Sequence, residues 1–252
     1  MTAQRNVVIT GTCGGVGSAC VEHFHAQGWR VWGIDRRPPP AALPDGVQFI
    51  QADIAIAPEV EALADQLLPD LGGSLHALVN NAALQITKPL TETTSQEWDE
   101  VHAINLRAPF LLAKGLYPAL AQARGAVVNV SSVHALATSS DIGAYASTKG
   151  GLLALTRSMA NEFARDGVRA NAVLPGATDT PMLDAGLERG HLKGGQAERK
   201  AQLERKILLN RLGTPGEIAR VIYFLADGEQ SSYITGQSLV ADGGALARLS
   251  TE

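Results

Sequence analysis

Thr10-Gly11-Thr12-Cys13-Gly14-Gly15-Val16-Gly17 follows the apolar run Asn6-Val7-Val8-Ile9 and precedes a helical pattern from Ser18 to Gln27. A strand, a glycine-rich turn and a helix, in that order, make the phosphate-binding corner of a dinucleotide fold. Gly11 permits the tight turn. Gly15 and Gly17, with Val16 between them, let backbone and helix approach a pyrophosphate, and the helix dipole favours negative charge there. A glycine-rich hairpin uses the same residues, so the motif alone leaves that alternative open. The next apolar run, Arg30-Val31-Trp32-Gly33-Ile34, ends in Asp35. An acidic residue about 20 positions past the glycines is where such a fold grips the adenosine ribose hydroxyls. The two features together favour nucleotide binding over the hairpin.

The same strand-then-helix rhythm runs almost to the end of the chain. Apolar strand patterns fall at 6–10, 30–35, 47–52, 75–80, 126–131, 168–174 and 237–241. Helical patterns fall near 17–27, 58–68, 95–122, 145–165 and 215–226. Near-continuous apolar strands separated by helices predict a parallel sheet covered on both faces. The expected fold is therefore α/β: a single-domain, Rossmann-like, doubly wound parallel sheet of about seven strands over residues 1–252. Thr94 with Glu97, and Thr214 with Glu217, read as capping boxes opening helices. Pro38-Pro39-Pro40 reads as a stiff loop. The stretch 178–210 breaks the rhythm, with dense charge, several glycines and no strand. A long insertion of this kind predicts a lid, with Met182, Leu183 and Leu187 facing the pocket. A solvated surface helix is the plainer alternative.

Composition is compatible with this fold and excludes several others. The chain has 252 residues, 45% hydrophobic and 18% charged, with a net charge of −4. That balance gives no sign of nucleic acid or an anionic membrane as partner. No apolar run reaches transmembrane length. The first strand begins near residue 6, which leaves no room for a signal peptide. Cys13 and Cys20 read as free thiols of a reducing compartment, so a cytoplasmic location is expected. No metal site is read from the sequence.

The chemistry lies further along, in Tyr145-Ala146-Ser147-Thr148-Lys149, with Ser132 upstream. A tyrosine and a lysine four apart share one helix face. An ammonium beside a phenol favours the phenolate, so a lowered tyrosine pKa is expected. That would make Tyr145 a general acid/base, with Ser132 holding the substrate oxygen. Alone, this spacing also occurs as surface decoration on any long helix.

Together these residues resemble the short-chain dehydrogenase/reductase family in its compact form, over essentially the whole chain. The family's glycine pattern falls on Thr10, Gly11, Gly15 and Gly17. Its adenine-contacting acid matches Asp53, with Ile54 beside it. Its Asn-Asn-Ala-Gly turn appears as Asn80-Asn81-Ala82-Ala83, with alanine for the last glycine. Its catalytic asparagine matches Asn105, completing a tetrad with Ser132, Tyr145 and Lys149. Pro175-Gly176 and Thr180 match the cofactor-binding segment after the sixth strand. The resemblance implies that Tyr145 exchanges the alcohol proton while hydride passes to nicotinamide, that Lys149 also binds the nicotinamide ribose, and that Asn105 holds a relay water. It implies a homotetramer, with the helices at 95–122 and 145–165 in one interface and the C-terminal strand in another. An enoyl reductase is disfavoured, because in the family its tyrosine and lysine are spaced more widely.

Asp35 favours NAD by repelling a 2′-phosphate. Arg36 and Arg37 keep NADP open as the alternative, since an arginine grips phosphate well. Pocket candidates are Gln85, Ile86, His134, Asp141 and Met182. Gln85 and His134 tilt the substrate towards a small polar secondary alcohol: a polyol, sugar derivative or hydroxy acid. An aromatic content of 5% gives little support to a steroid. The alternatives are an NADPH-dependent 3-oxoacyl-type carbonyl reductase and a non-catalytic nucleotide-binding regulator.

Overall fold

A computed structural model describes residues 4–39, 43–189 and 193–247. Seven strands carry the fold: β1 (Asn6–Thr10), β2 (Arg30–Asp35), β3 (Val47–Gln51), β4 (Ala77–Asn80), β5 (Ala126–Val130), β6 (Arg169–Pro175) and β7 (Ser238–Ala241). The helices between them are α1 (Gly15–Ala26), α2 (Ala57–Asp70), α3 (Ser95–His102), α4 (Ala108–Ala123), α5 (Gly143–Phe163), α6 (Pro181–Arg189), α7 (Gln196–Glu204), α8 (Pro215–Ala226) and the short α9 (Gly228–Ser231). The strands form one sheet in the order β3-β2-β1-β4-β5-β6-β7. Every pairing is parallel.

Side-chain alternation along the strands sorts the core into two layers. Val7, Ile9, Val79, Val128 and Val173 point to the face covered by α1 and α8. Val8, Ile34, Leu78 and Val127 point to the opposite face, under α2, α4 and α5. Both faces are dry, so the central strands read as unbroken apolar runs. β1 is flanked by β2 on one side and β4 on the other, where the winding reverses. Ligands of open α/β sheets bind at the strand C-termini beside such a switch point. Both capping boxes form, at Thr94 with Glu97 and at Thr214 with Glu217.

One sequence expectation is corrected here. The single helix expected over 95–122 is interrupted: between α3 and α4 lies a π-helical turn, Ala103–Arg107. An i→i+5 turn admits one extra residue, which a 3.6-residue period does not reveal. The strand-free stretch after β6 contains α6 and α7, each nine residues long. Its residues 190–192 lie outside the described residues, as does Pro40 of the proline loop. Among the described residues, no helix is long and apolar enough to cross a membrane.

Candidate active site

The glycine turn is built so tightly that side chains are excluded. Gly11 takes φ +73°, and a methyl added there would lie 2.7 Å from the Ala82 Cα. At Gly17 an added methyl would lie 2.0 Å from the Gly11 carbonyl oxygen, a backbone atom that has nowhere to go. At Gly15 it would lie 2.8 Å from the Thr180 methyl. The turn thus meets, in space, two segments that follow it by about 70 and 165 residues. Asn81 fastens the first: its Nδ2 donates to Thr10 O (2.9 Å) and Gly11 O (3.2 Å). The Thr10 hydroxyl accepts from the backbone N–H of Asn81 and Ala82, both at 3.0 Å. Thr180 belongs to the second, where its hydroxyl caps α6 by accepting from Leu183 N. Gly176 is equally confined, since an added methyl would meet the Asp242 Cα at 2.7 Å. Pro175 ends β6 just before it. Val16 packs against the α1–α8 layer. A bare backbone cradle at a helix N-terminus is what a pyrophosphate requires.

Asp35 ends β2 with its side chain buried beside this cradle. Its Oδ2 accepts from Cys13 N (2.9 Å), and its Oδ1 accepts from Arg37 N (3.0 Å). Arg37 Nε also lies 3.4 Å from Oδ1, while most of that side chain remains in solvent. The Arg36 carbonyl takes a hydrogen bond from Gln51 Nε2. Asp53 lies one strand further out, its Oδ1 closing a turn onto Ala55 N (3.0 Å), and Ile54 is buried under α2. Asp35 and Asp53, the acids expected at a nucleotide's adenosine end, therefore lie at the end of β2 and just after β3, on the same rim as the glycines.

The catalytic candidates meet at the C-terminal ends of β5 and α5's first turns. Ser132, Tyr145 and Lys149 are 6%, 7% and 1% exposed. Lys149 Nζ donates to Val130 O at 2.7 Å and stands 5.4 Å from the centre of the Tyr145 ring. The Ser131 hydroxyl fixes the same turn by donating to Lys149 O (2.9 Å). Ser132 accepts the His134 backbone N–H (3.2 Å), and its hydroxyl favours the ionised form of the neighbouring Tyr145 phenol. The His134 ring meets Tyr145 edge-on at 6.1 Å.

The electrostatics correct the expected direction for the tyrosine. Burial pushes Tyr145 up to about 12, opposed in part by the Ser132 hydrogen bond. Burial likewise pulls Lys149 down to about 7. Desolvation disfavours both charged forms, and here it outweighs the mutual attraction on which the expectation rested. His134 is held below its ordinary value by burial as well.

Asn105 sits in the π turn, 1% exposed. Its Oδ1 accepts from Leu84 N (2.8 Å), and its Nδ2 donates to Leu84 O (2.9 Å) and Thr148 Oγ1 (3.0 Å). Both amide hydrogens are therefore committed to protein. Thr148 is absent from the sequence-predicted site. Its only signal is a polar residue on what becomes the buried face of an otherwise ordinary helix.

The remaining candidates line the outer wall. An added methyl on Gly186 would lie 3.2 Å from Gln85 Nε2, so Gln85 reaches α6. Lys88 N donates to the Asp141 carbonyl, joining the segment that follows Gln85 and Ile86 to the one entering α5. On α6, Leu187 is buried, whereas Met182 stands 40% exposed.

Comparison with known proteins bears on the family. A family model described as Enoyl-(Acyl carrier protein) reductase matches residues 11–245. An uncharacterized oxidoreductase, YxbG of Bacillus subtilis, is 34% identical across 97% of this chain and 92% of its own length. The probable galactose dehydrogenase GalD of Rhizobium meliloti is 34% identical across 96% and 94%. The solved aldohexose dehydrogenase of Thermoplasma acidophilum superposes with a TM-score of 0.91 at 29% identity, over 98% of this chain and 96% of that one. With the glycine cradle, the switch-point sheet and these matches along nearly its full length, the chain belongs to the short-chain dehydrogenase/reductase family.

Proposed function

We propose that this oxidoreductase is an NAD-dependent dehydrogenase that interconverts a small polar secondary alcohol and its ketone, with Tyr145 as acid/base. The observation that carries this reading is the burial of Ser132, Tyr145 and Lys149 in one cluster on the rim that also bears the glycine cradle. NAD, held by the cradle with Asp35 at its ribose, supplies the hydride acceptor when bound. Tyr145 Oη takes the substrate hydroxyl proton in oxidation and returns it in reduction. Ser132 Oγ accepts the His134 N–H, which leaves its one O–H available to donate to the substrate oxygen. Lys149, when protonated, favours the phenolate, and with its value lowered to about 7 it gains and loses that proton near neutrality. Asn105 holds the Leu84 segment in register with these groups.

The four-residue spacing of Tyr145 and Lys149 supports alcohol–ketone chemistry rather than enoyl reduction. Gln85 and His134 favour a polyol, sugar derivative or hydroxy acid, and the galactose and aldohexose dehydrogenases among its relatives lean the same way. The Arg37 side chain beside Asp35 favours the second reading, use of NADP. We read residues 1–252 as one nucleotide-binding domain with a lid over 178–210, in a cytoplasmic homotetramer. Two features support the tetramer: Phe110 is 46% exposed on α4, and Leu239 and Val240 of β7 are also exposed. Light scattering tests the assembly.

The function is tested by nicotinamide absorbance across a panel of polyols, sugars and hydroxy acids, with NAD and NADP in parallel. Tyr145→Phe should abolish turnover while NADH still binds. Substantial residual turnover in that variant would refute the acid/base assignment.

A further inference from the structure

Helix α5 carries two buried threonines, Thr148 and Thr156, at 0% and 1% exposure. Each hydroxyl donates back to its own helix, Thr148 to Tyr145 O and Thr156 to Leu152 O, both at 2.7 Å. A hydroxyl has one hydrogen, so each oxygen is then left as a pure acceptor. Each accepts an asparagine amide: Asn105 Nδ2 at 3.0 Å on Thr148, and Asn129 Nδ2 at 2.9 Å on Thr156. The two couples lie eight residues apart, roughly 12 Å along the helix axis. They use the same chemistry but hold different things. Asn129 passes the connection to Asn80, across β5 and β4 and within the sheet (2.8 Å). Asn105 passes it to both backbone groups of Leu84.

The Leu84 end leads to the cofactor side. The segment Asn81–Leu84 is fastened to β1 through Asn81 and the Thr10 hydroxyl, and Ala82 closes on Gly11. A continuous run of hydrogen bonds therefore joins the first turn of α5, which bears Tyr145, to the segment bordering the glycine cradle. Asn105 can make this connection because the π turn supplies the extra residue that brings its amide inward. Its orientation is fixed by Leu84, which presents an N–H and a C=O and so needs the amide oxygen and nitrogen in that order.

We propose that Thr148 is a positioning residue for the reaction: acting through Asn105, it sets Tyr145 in register with the Leu84 segment beside the cofactor. The inference rests on the dehydrogenase reading above, and it assigns a task to a residue outside the tetrad. Thr148→Val keeps the β-branched shape, removes the hydroxyl and leaves one Asn105 N–H unpaired in a dry site. An unpaired buried donor of this kind should lower kcat on the order of tenfold. NADH affinity should stay within about twofold, because the cradle does not touch Thr148. Thr148→Ser restores the hydroxyl and should restore kcat. Thr156→Val is the control: it removes the same two bonds but should lower only the unfolding midpoint. In the cofactor-free protein, amide hydrogen exchange over residues 81–88 should quicken in Thr148→Val and not in Thr156→Val.

Three results would overturn the proposal. One is wild-type kcat and unchanged exchange in Thr148→Val. Another is an equal loss of kcat in Thr156→Val. The third is a loss that adds in full to that of Asn105→Ala, since a residue acting through Asn105 has little left to lose once Asn105 is gone. If Thr148→Val does not fold, Thr148→Ala carries the same expectations. If no substrate is turned over, the exchange experiment decides alone. Residual turnover in Tyr145→Phe would instead indict the acid/base reading, so the two failures are separable.

Discussion

Replacing Lys149 by methionine should make the cofactor-free protein more stable near neutral pH while abolishing its activity. Lys149 is buried and its value falls from 10.5 to about 7. At about 1.4 kcal/mol per pH unit, that drop opposes folding by about 5 kcal/mol below pH 7 and by about 4 kcal/mol at pH 7. Methionine removes this term but cannot donate to Val130 O, which Lys149 Nζ now satisfies at 2.7 Å. Leaving that buried carbonyl unpaired returns about 1–3 kcal/mol of the gain. The net stabilisation at pH 7 is therefore on the order of 2 kcal/mol. The sign depends on pH. A lysine whose folded value lies below its unfolded value binds its proton more weakly in the native state, so wild-type stability rises between pH 7 and 10.5. Over that window the advantage of Lys149→Met should shrink and then reverse, leaving only the missing bond. Tyr145, raised from 10 to about 12, begins to lower stability only near pH 10, and because both proteins carry it that contribution cancels from their difference. Urea unfolding of both proteins from pH 6 to 10, without cofactor and at one protein concentration, reads the effect. A variant less stable at pH 7, or a difference that does not change with pH, would refute the reasoning.

Two further outcomes follow from the cradle. Asp35→Ala should weaken NADH binding and relax discrimination against NADPH, read as a ratio of dissociation constants by cofactor fluorescence; an unmoved ratio would remove Asp35 from the ribose site. Gly17→Ala should weaken NADH binding at least tenfold and lower stability by about 1–3 kcal/mol, because a methyl 2.0 Å from the Gly11 carbonyl must force α1 away from the turn; wild-type affinity would show that the contact relaxes without harm.

Much of this molecule is legible in its sequence because the decisive signals are local. All seven strands lie within two residues of the expected spans, since each is a short apolar run closed by turn residues. The threonine-glutamate caps are equally local, each set by four consecutive residues. The π turn is not legible, because its one-residue excess is smaller than the tolerance of any helical pattern. Nor is the balance at Tyr145 and Lys149: spacing gives their proximity, but the dryness that raises one and lowers the other depends on what covers them. Thr180 and Gly15, 165 positions apart, show the same limit. Their contact is a property of the winding: the glycine turn itself pointed to Gly15, and only resemblance to a family pointed to Thr180.

The winding also sets an order of assembly. β1, β2 and β3 are adjacent in space and complete by residue 51, so the dinucleotide corner can pair as soon as it is made. β1's other neighbour, β4, finishes only at Asn80, and Val7 must wait for Ala77 to arrive in register. The cluster of Ser132, Tyr145 and Lys149 comes later still, since it needs β5 and α5. Such long-range pairing slows folding. On a ribosome releasing the chain from its N-terminus, the strands that carry the glycine turn emerge before those that carry Ser132, Tyr145 and Lys149. A chain cut off after β3 would have that turn without the Asn81, Ala82 and Thr180 contacts that close it.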